Sequence, residues 1–271
     1  MMENNLKLDP AGYFRMPFIM GPLWKGENPQ FFYPQTEVIV LQYLTDNDAI
    51  NSLLPSCFKL GKEPLVTVIF GYYNGLDFMA GGGYNIAAVQ VSARFDGNQD
   101  HLEGDYTLVM FENETWPIIG GREDLGLPKL YADISPYKIL TNGSLRCEAS
   151  LWGHFLFGLE LSSPKEQNRI VRLAANKIVN SRFWLGYKYI PSLDGPPDAD
   201  YPTLAKNDTK IKELWFAKSG ELFFGNAEIN DIGQFKYLID ALKTLKVKEV
   251  KRALHFKGSA ILRYDLSRRL K

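Results

Sequence analysis

The sequence predicts an α+β fold: a single domain over residues 1–271, predominantly antiparallel β and barrel-like, with a few peripheral helices. Three observations carry this. Aromatic residues make up 13% of the chain and Val/Ile runs are frequent, a composition that suits pleated, half-buried strands. Short apolar or alternating segments recur between Gly, Asn, Asp and Pro turns, the period-2 signature of strands. These segments are not each followed by a helix, which argues against a doubly wound parallel sheet.

In chain order, the strand candidates are 37–43, 65–73, 87–94, 106–112, 145–151, 155–161, 183–190, 210–217, 222–224, 255–256 and 260–264. Asp96–Gly97–Asn98 reads as a hairpin turn between two of them. Thr45 is a cap candidate for a short helix carrying Ile50, Leu53 and Leu54. Ser163–Pro164–Lys165–Glu166 combines a cap residue, a first-turn proline and an acid, and predicts a helix through Ala175. Asn230 or Asp231 caps a further helix to about Leu245, with Phe235, Leu238, Ile239 and Leu242 on one face. The Pro/Asp/Gly-rich stretch Ser192–Lys206 reads as an excursion within the domain rather than a linker.

Charge and composition exclude several classes. Thirty-one basic residues balance 31 acidic ones, and the only basic clustering, around Lys243–Arg252 and Arg268–Lys271, is diluted by Glu249 and Asp265. Nucleic acid demands a stronger basic footprint. Two cysteines, Cys57 and Cys147, do not make a stapled secreted scaffold. Met1–Asp9 is polar without an apolar signal core, and no run approaches roughly 18 apolar residues, so a soluble cytoplasmic protein without membrane contact is expected. His101, His154 and His255 have no ligand spacing, and Asp194, Asp198 and Asp200 lack the terminal glutamate of a calcium loop, so no metal or other cofactor is expected. No Gly-x-Ser-x-Gly elbow occurs, and Gly81–Gly82–Gly83 lacks the ending of a phosphate loop.

One residue stands out chemically. Lys129 follows a Gly/Pro-punctuated turn, Gly121-Arg-Glu-Asp-Leu-Gly-Leu-Pro-Lys129, with Leu125, Leu127 and Leu130 as apolar neighbours. A lysine attacks a carbonyl only as the free amine, and desolvation disfavours its ammonium form. A sheet that encloses a small apolar pocket suits that task. Taken alone, such a lysine is ordinarily a snorkelling surface residue. Tyr72, Tyr73 and Tyr84 flank the glycine-rich segment 80–83 and are candidates to orient a carbonyl or donate a proton, although strand tyrosines commonly serve packing.

The order of motifs along the chain resembles the acetoacetate decarboxylases. Gly121–Arg122–Glu123 precedes Pro128–Lys129 at the family's spacing, which matches Lys129 to the Schiff-base lysine. Met20–Gly21–Pro22, Gly104–Asp105–Tyr106, Tyr189–Gly195 and Val247–Val250 resemble further family segments, so the likeness spans about Met20 to Tyr264. It implies a homo-oligomer and a site containing Lys129, Arg122 and Glu123, with Tyr84, Tyr72, Ile86 and Leu130 at the substrate. Three positions depart from the pattern: Leu130 replaces a second lysine, Ile86 a glutamate, and Thr36 an arginine. The implied chemistry is decarboxylation of acetoacetate or a related small keto acid through an imine. An aldolase or dehydratase using the same lysine is the alternative, and a noncatalytic small-ligand binding protein is the rival class.

Overall fold

A computed structural model describes residues 8–271; most of the polar opening stretch Met1–Asp9 lies outside the described residues. The main elements are β1 (Gln30–Leu44), β2 (Leu65–Asn74), β3 (Tyr84–Asp96), β4 (His101–Glu112), α1 (Thr115–Glu123), β5 (Lys129–Tyr131), β6 (Leu145–Leu151), β7 (His154–Leu161), α2 (Arg169–Asn180), β8 (Trp184–Ile190), β9 (Ala199–Ala205), β10 (Asn207–Phe216), β11 (Gly220–Phe224), α3 (Phe235–Lys243) and β12 (Glu249–Arg263).

Twelve strands form one large sheet in the order Lys165–Glu166, β10, β12, β1, β2, β3, β4, β8, β9, Arg268–Arg269, with Phe58–Leu60 added to β3 and β5 to β4. Its pairings are antiparallel except β4–β8 and β4–β5, which are parallel. A five-stranded sheet built on β6, β7 and β11 covers one face. The α+β class and the antiparallel bias hold, but the barrel expectation does not. The large sheet is an open path whose end strands are two residues long and pair on one side only. Periodicity specifies which residues form strands; it carries no information on whether the first and last strands meet, and closure needs a hydrogen-bonded seam.

Side-chain alternation divides the apolar residues between two faces. Ile39, Leu41, Val68, Phe70, Ala87, Val89, Val109 and Phe111 point toward the small sheet, where Phe157 packs against Phe70 and Phe111 at ring separations of 5.6 and 6.0 Å. Val38, Val40, Tyr73, Tyr84, Ile86, Ala88 and Met110 point to the opposite face, which α2 covers in part with Val171, Ala175 and Val179. The functional site lies on this second face.

Local differences from the sequence reading have identifiable causes. The helix expected from Ser163 starts instead at Arg169, because the Asn168 side chain accepts from the backbone N–H groups of Ile170 and Val171 at 3.0 and 3.1 Å. Within Ser192–Lys206, β9 pairs along β8 despite Pro202. Helix α1 was not legible, since it contains Pro117, Gly120 and Gly121, poor helix formers. Among the described residues, no helix is long and apolar enough to cross a membrane.

Candidate active site

The turn after α1 fixes Lys129. Gly126 adopts φ +69°, a left-handed conformation suited to glycine. The Leu127 N–H donates to the Gly121 carbonyl at 2.9 Å, and the Met110 N–H donates to the Pro128 carbonyl at 3.1 Å. The chain then enters β5 beside β4, with Lys129 opposite Met110. Strand alternation sends Lys129 to the second face and Leu130 into the main core.

Lys129 is buried, with 6% of its surface exposed. Its Nζ donates to the Pro117 carbonyl at 3.1 Å and lies 2.7 Å from Oε1 of Glu112, which has no exposed surface. The contact is a close charge pair rather than an aligned hydrogen bond: neither Glu112 oxygen has a well-directed donor among the described residues. Burial raises the Glu112 pKa, and the opposing pull of Lys129 does not cancel it.

Helix α1 makes room for this arrangement through two consecutive glycines. A Cβ added at Gly121 would lie 2.2 Å from Cδ and Cε of Lys129 and 2.7 Å from Nζ. One added at Gly120 would lie 2.6 Å from Nη2 of Arg15. Two glycines in a nine-residue helix cost roughly 1 kcal/mol each relative to alanine. Space for the two cations accounts for them.

A cavity of about 260 Å³ opens onto Lys129. Trp24, Phe31, Phe78, Trp116 and Tyr264 supply aromatic walls, and Arg15 reaches it from the N-terminal segment. The Arg15 guanidinium forms a two-point ion pair with Asp124, including Nε to Oδ1 at 3.2 Å and a second contact from Nη2 to Oδ2. Tyr13 and Tyr264 donate to the same carboxylate at 2.9 and 3.2 Å. Trp116 lies under the guanidinium at 5.0 Å. A narrower recess of about 50 Å³ continues past Lys129 to Glu112, Ile86, Tyr73 and Trp184. Tyr33 and Tyr84 join through their hydroxyls at 3.0 Å, and burial raises the pKa of both, so both stay protonated.

The sequence-derived candidates divide accordingly. Lys129 and Tyr84 line both spaces and Ile86 lines the recess. Tyr72 faces the other side of the sheet, packing on Tyr137 at 5.6 Å; its neighbour Tyr73 faces the recess instead. Leu130 is a core contact. Arg122 donates to the Lys129 carbonyl at 3.0 Å, bracing the backbone that carries the amine. Glu123 lines neither space, and its carbonyl accepts from Lys188.

Sequence reasoning missed Glu112 and Arg15. Glu112 pairs directly across from Ile86. Where the family pattern has a glutamate this chain has Ile86, and the carboxylate beside Lys129 comes from Glu112, one strand over. A charged residue two positions beyond Met110, ending an apolar strand, was the available signal. Thr36, where an arginine was expected, is buried and its Oγ1 donates to the Tyr33 carbonyl at 3.4 Å. The cation in the cavity comes from Arg15 instead.

The family description acetoacetate decarboxylase (ADC) matches residues 15–267. Acetoacetate decarboxylase 1 of Bradyrhizobium diazoefficiens is 26% identical over 229 residues, covering 83% of this chain and 82% of the relative. The fold is similar to that of the acetoacetate decarboxylase of Legionella pneumophila, with a TM-score of 0.73, 22% identity and coverage of 100% and 98% of the two chains. It is also similar to that of the enduracididine biosynthesis enzyme MppR complexed with pyruvate, with a TM-score of 0.71, 17% identity and coverage of 97% and 98%.

Two outcomes follow from this packing. Gly121→Ala drives a methyl into the Lys129 side chain; the variant should fold but lose most covalent labelling of Lys129 by carbonyl compounds with borohydride, and undiminished labelling would contradict the packing argument. A raised folded-state pKa at Glu112 means that the folded protein holds the proton more tightly than the unfolded chain, whose carboxyl titrates near about pH 4.3. The corresponding stability is complete below that pH and is lost as pH rises through the folded value. Urea unfolding across pH should show this loss in the parent and its absence in Glu112→Gln.

Proposed function

Because the chain belongs to the acetoacetate decarboxylase family, we propose that it is a lyase that decarboxylates a small keto acid through a Schiff base on Lys129. The observation that carries the reading is the Lys129 amine buried 2.7 Å from the Glu112 carboxylate at the junction of cavity and recess.

The free amine adds to the substrate ketone and water leaves, giving a protonated imine. The bond from the α-carbon to the carboxylate then breaks. Its electron pair becomes the enamine double bond, the imine π pair moves to nitrogen, and carbon dioxide departs. The α-carbon takes a proton, and water hydrolyses the imine to release ketone and lysine. Glu112 is suited to accept the ammonium proton before attack and to return a proton later, since burial raises its pKa and makes its carboxylate a stronger base than a solvated one. Arg122 acts as a positioning residue through the Lys129 carbonyl. The aromatic walls keep water away from the cation, which strengthens its attraction to electrons.

The aldolase or dehydratase alternative uses the same imine and enamine, with an aldehyde in place of the proton. The likeness to a pyruvate-bound enzyme favours keeping it as the second reading. The proposal also retains a homo-oligomer in the cytoplasm.

Borohydride reduction in the presence of β-keto acids should add substrate mass to the peptide carrying Lys129, and released carbon dioxide distinguishes decarboxylation from aldol chemistry. Lys129→Ala should abolish both signals. Glu112→Gln should lower turnover by about 10²–10⁴-fold. Full decarboxylase activity in Lys129→Ala would overturn the proposal.

A further inference from the structure

We infer that Arg15 anchors a substrate carboxylate that survives the reaction, so that the preferred substrate is a β-keto acid carrying a second, distal carboxylate. The inference rests on the Schiff-base reading for its chemistry and on the geometry of Arg15 for its site.

Arg15 is 8% exposed and lines the cavity that contains the Lys129 amine. Its Nε and Nη2 serve Asp124, while among the described residues no acceptor takes a hydrogen bond from Nη1. An arginine fork has five donors and matches carboxylates in two-point geometry. Asp124 and the Trp116 ring fix the guanidinium in place, and the hydroxyls of Tyr13 and Tyr264 hold Asp124 from its other side. The guanidinium is thus held at the cavity lining with donor capacity that Asp124 does not use.

The two cations are related through α1. Arg15 packs over Gly120 and Lys129 packs over Gly121, consecutive positions of one helix. A molecule whose ketone meets Nζ therefore has a second polar anchor inside the same cavity.

Reaction physics decides which carboxylate Arg15 takes. The carboxylate of the breaking bond starts charged and leaves as neutral carbon dioxide. A guanidinium bound to it would hold the ground state more tightly than the transition state and slow the reaction. A carboxylate that keeps its charge suffers no such loss, and binding it positions the ketone at Lys129 throughout.

The test compares 3-oxoadipate with 3-oxohexanoate, which share the reacting end and chain length and differ in a terminal carboxylate against a methyl. Decarboxylation of the diacid leaves 4-oxopentanoate, with the distal carboxylate intact. The parent should favour 3-oxoadipate by at least about tenfold in kcat/KM, mainly through KM, and Arg15→Gln should erase that preference, bringing the kcat/KM ratio of the two acids to about one. Arg15→Gln/Asp124→Asn avoids a buried unpaired carboxylate and should give the same loss of preference. Equal use of the two acids by the parent, or a preference that persists in both variants, would overturn the inference. Calorimetric binding of the two acids to Lys129→Ala, which cannot form the imine, separates this claim from the Schiff-base reading. Tighter binding of 3-oxoadipate that depends on Arg15 supports the anchor even if no adduct forms on Lys129, and equal affinities refute it even if the adduct forms.

Discussion

The buried contact between the Lys129 ammonium and the Glu112 carboxylate is the constraint on which the rest of the site depends. Two charges removed from water cost several kcal/mol each, and their attraction repays this only when both are held in place. The large sheet provides that restraint. Glu112 and Lys129 come from adjacent parallel strands, each fixed by backbone hydrogen bonds, and project from the same face. Among the described residues neither oxygen of Glu112 gains an aligned donor, so the pair is close but incompletely satisfied. A proton that moves between partners, or a carbonyl that replaces one of them, relieves that condition. The proposed chemistry and the incomplete stabilisation thus share one origin.

The surrounding sequence makes sense as accommodation of charge in an apolar place. Gly120 and Gly121 weaken α1 as a helix while admitting two cationic side chains. Arg15 is ion-paired with Asp124, and two tyrosines also donate to that carboxylate. The aromatic rings meet largely edge to face, as at Phe31–Tyr264, 4.9 Å apart and inclined by 75°, so the walls hold one another in position. The walls and charges of the cavity thus hold one another in place, which suits the electrostatic catalysis proposed above.

Much of the strand content was legible because alternation and turn residues are local signals. Segment 145–151 is a strand over its full expected length, and the Asp96–Gly97–Asn98 turn does join β3 to β4. The placement of Lys129 in apolar surroundings was legible through its motif. What escaped detection depended on pairing between distant segments. Glu112 becomes the partner of Lys129 only when β5 lies beside β4, and Arg15 enters the cavity only when the N-terminal segment meets α1. Tyr72 and Tyr73 illustrate the limit: one residue of phase decides which side of the sheet receives each hydroxyl, and both sides are buried. Open sheet against closed barrel was likewise a question of edges, which period-2 patterning does not address.

The most direct test of the central claim is a double-mutant cycle on folding stability with Lys129→Met, Glu112→Leu and the combined variant. Each single change leaves an uncompensated buried charge and should cost about 3–5 kcal/mol, while the combined change should cost far less than the sum. Single changes of less than about 1 kcal/mol that simply add would show that the two groups do not depend on each other, and would contradict the account.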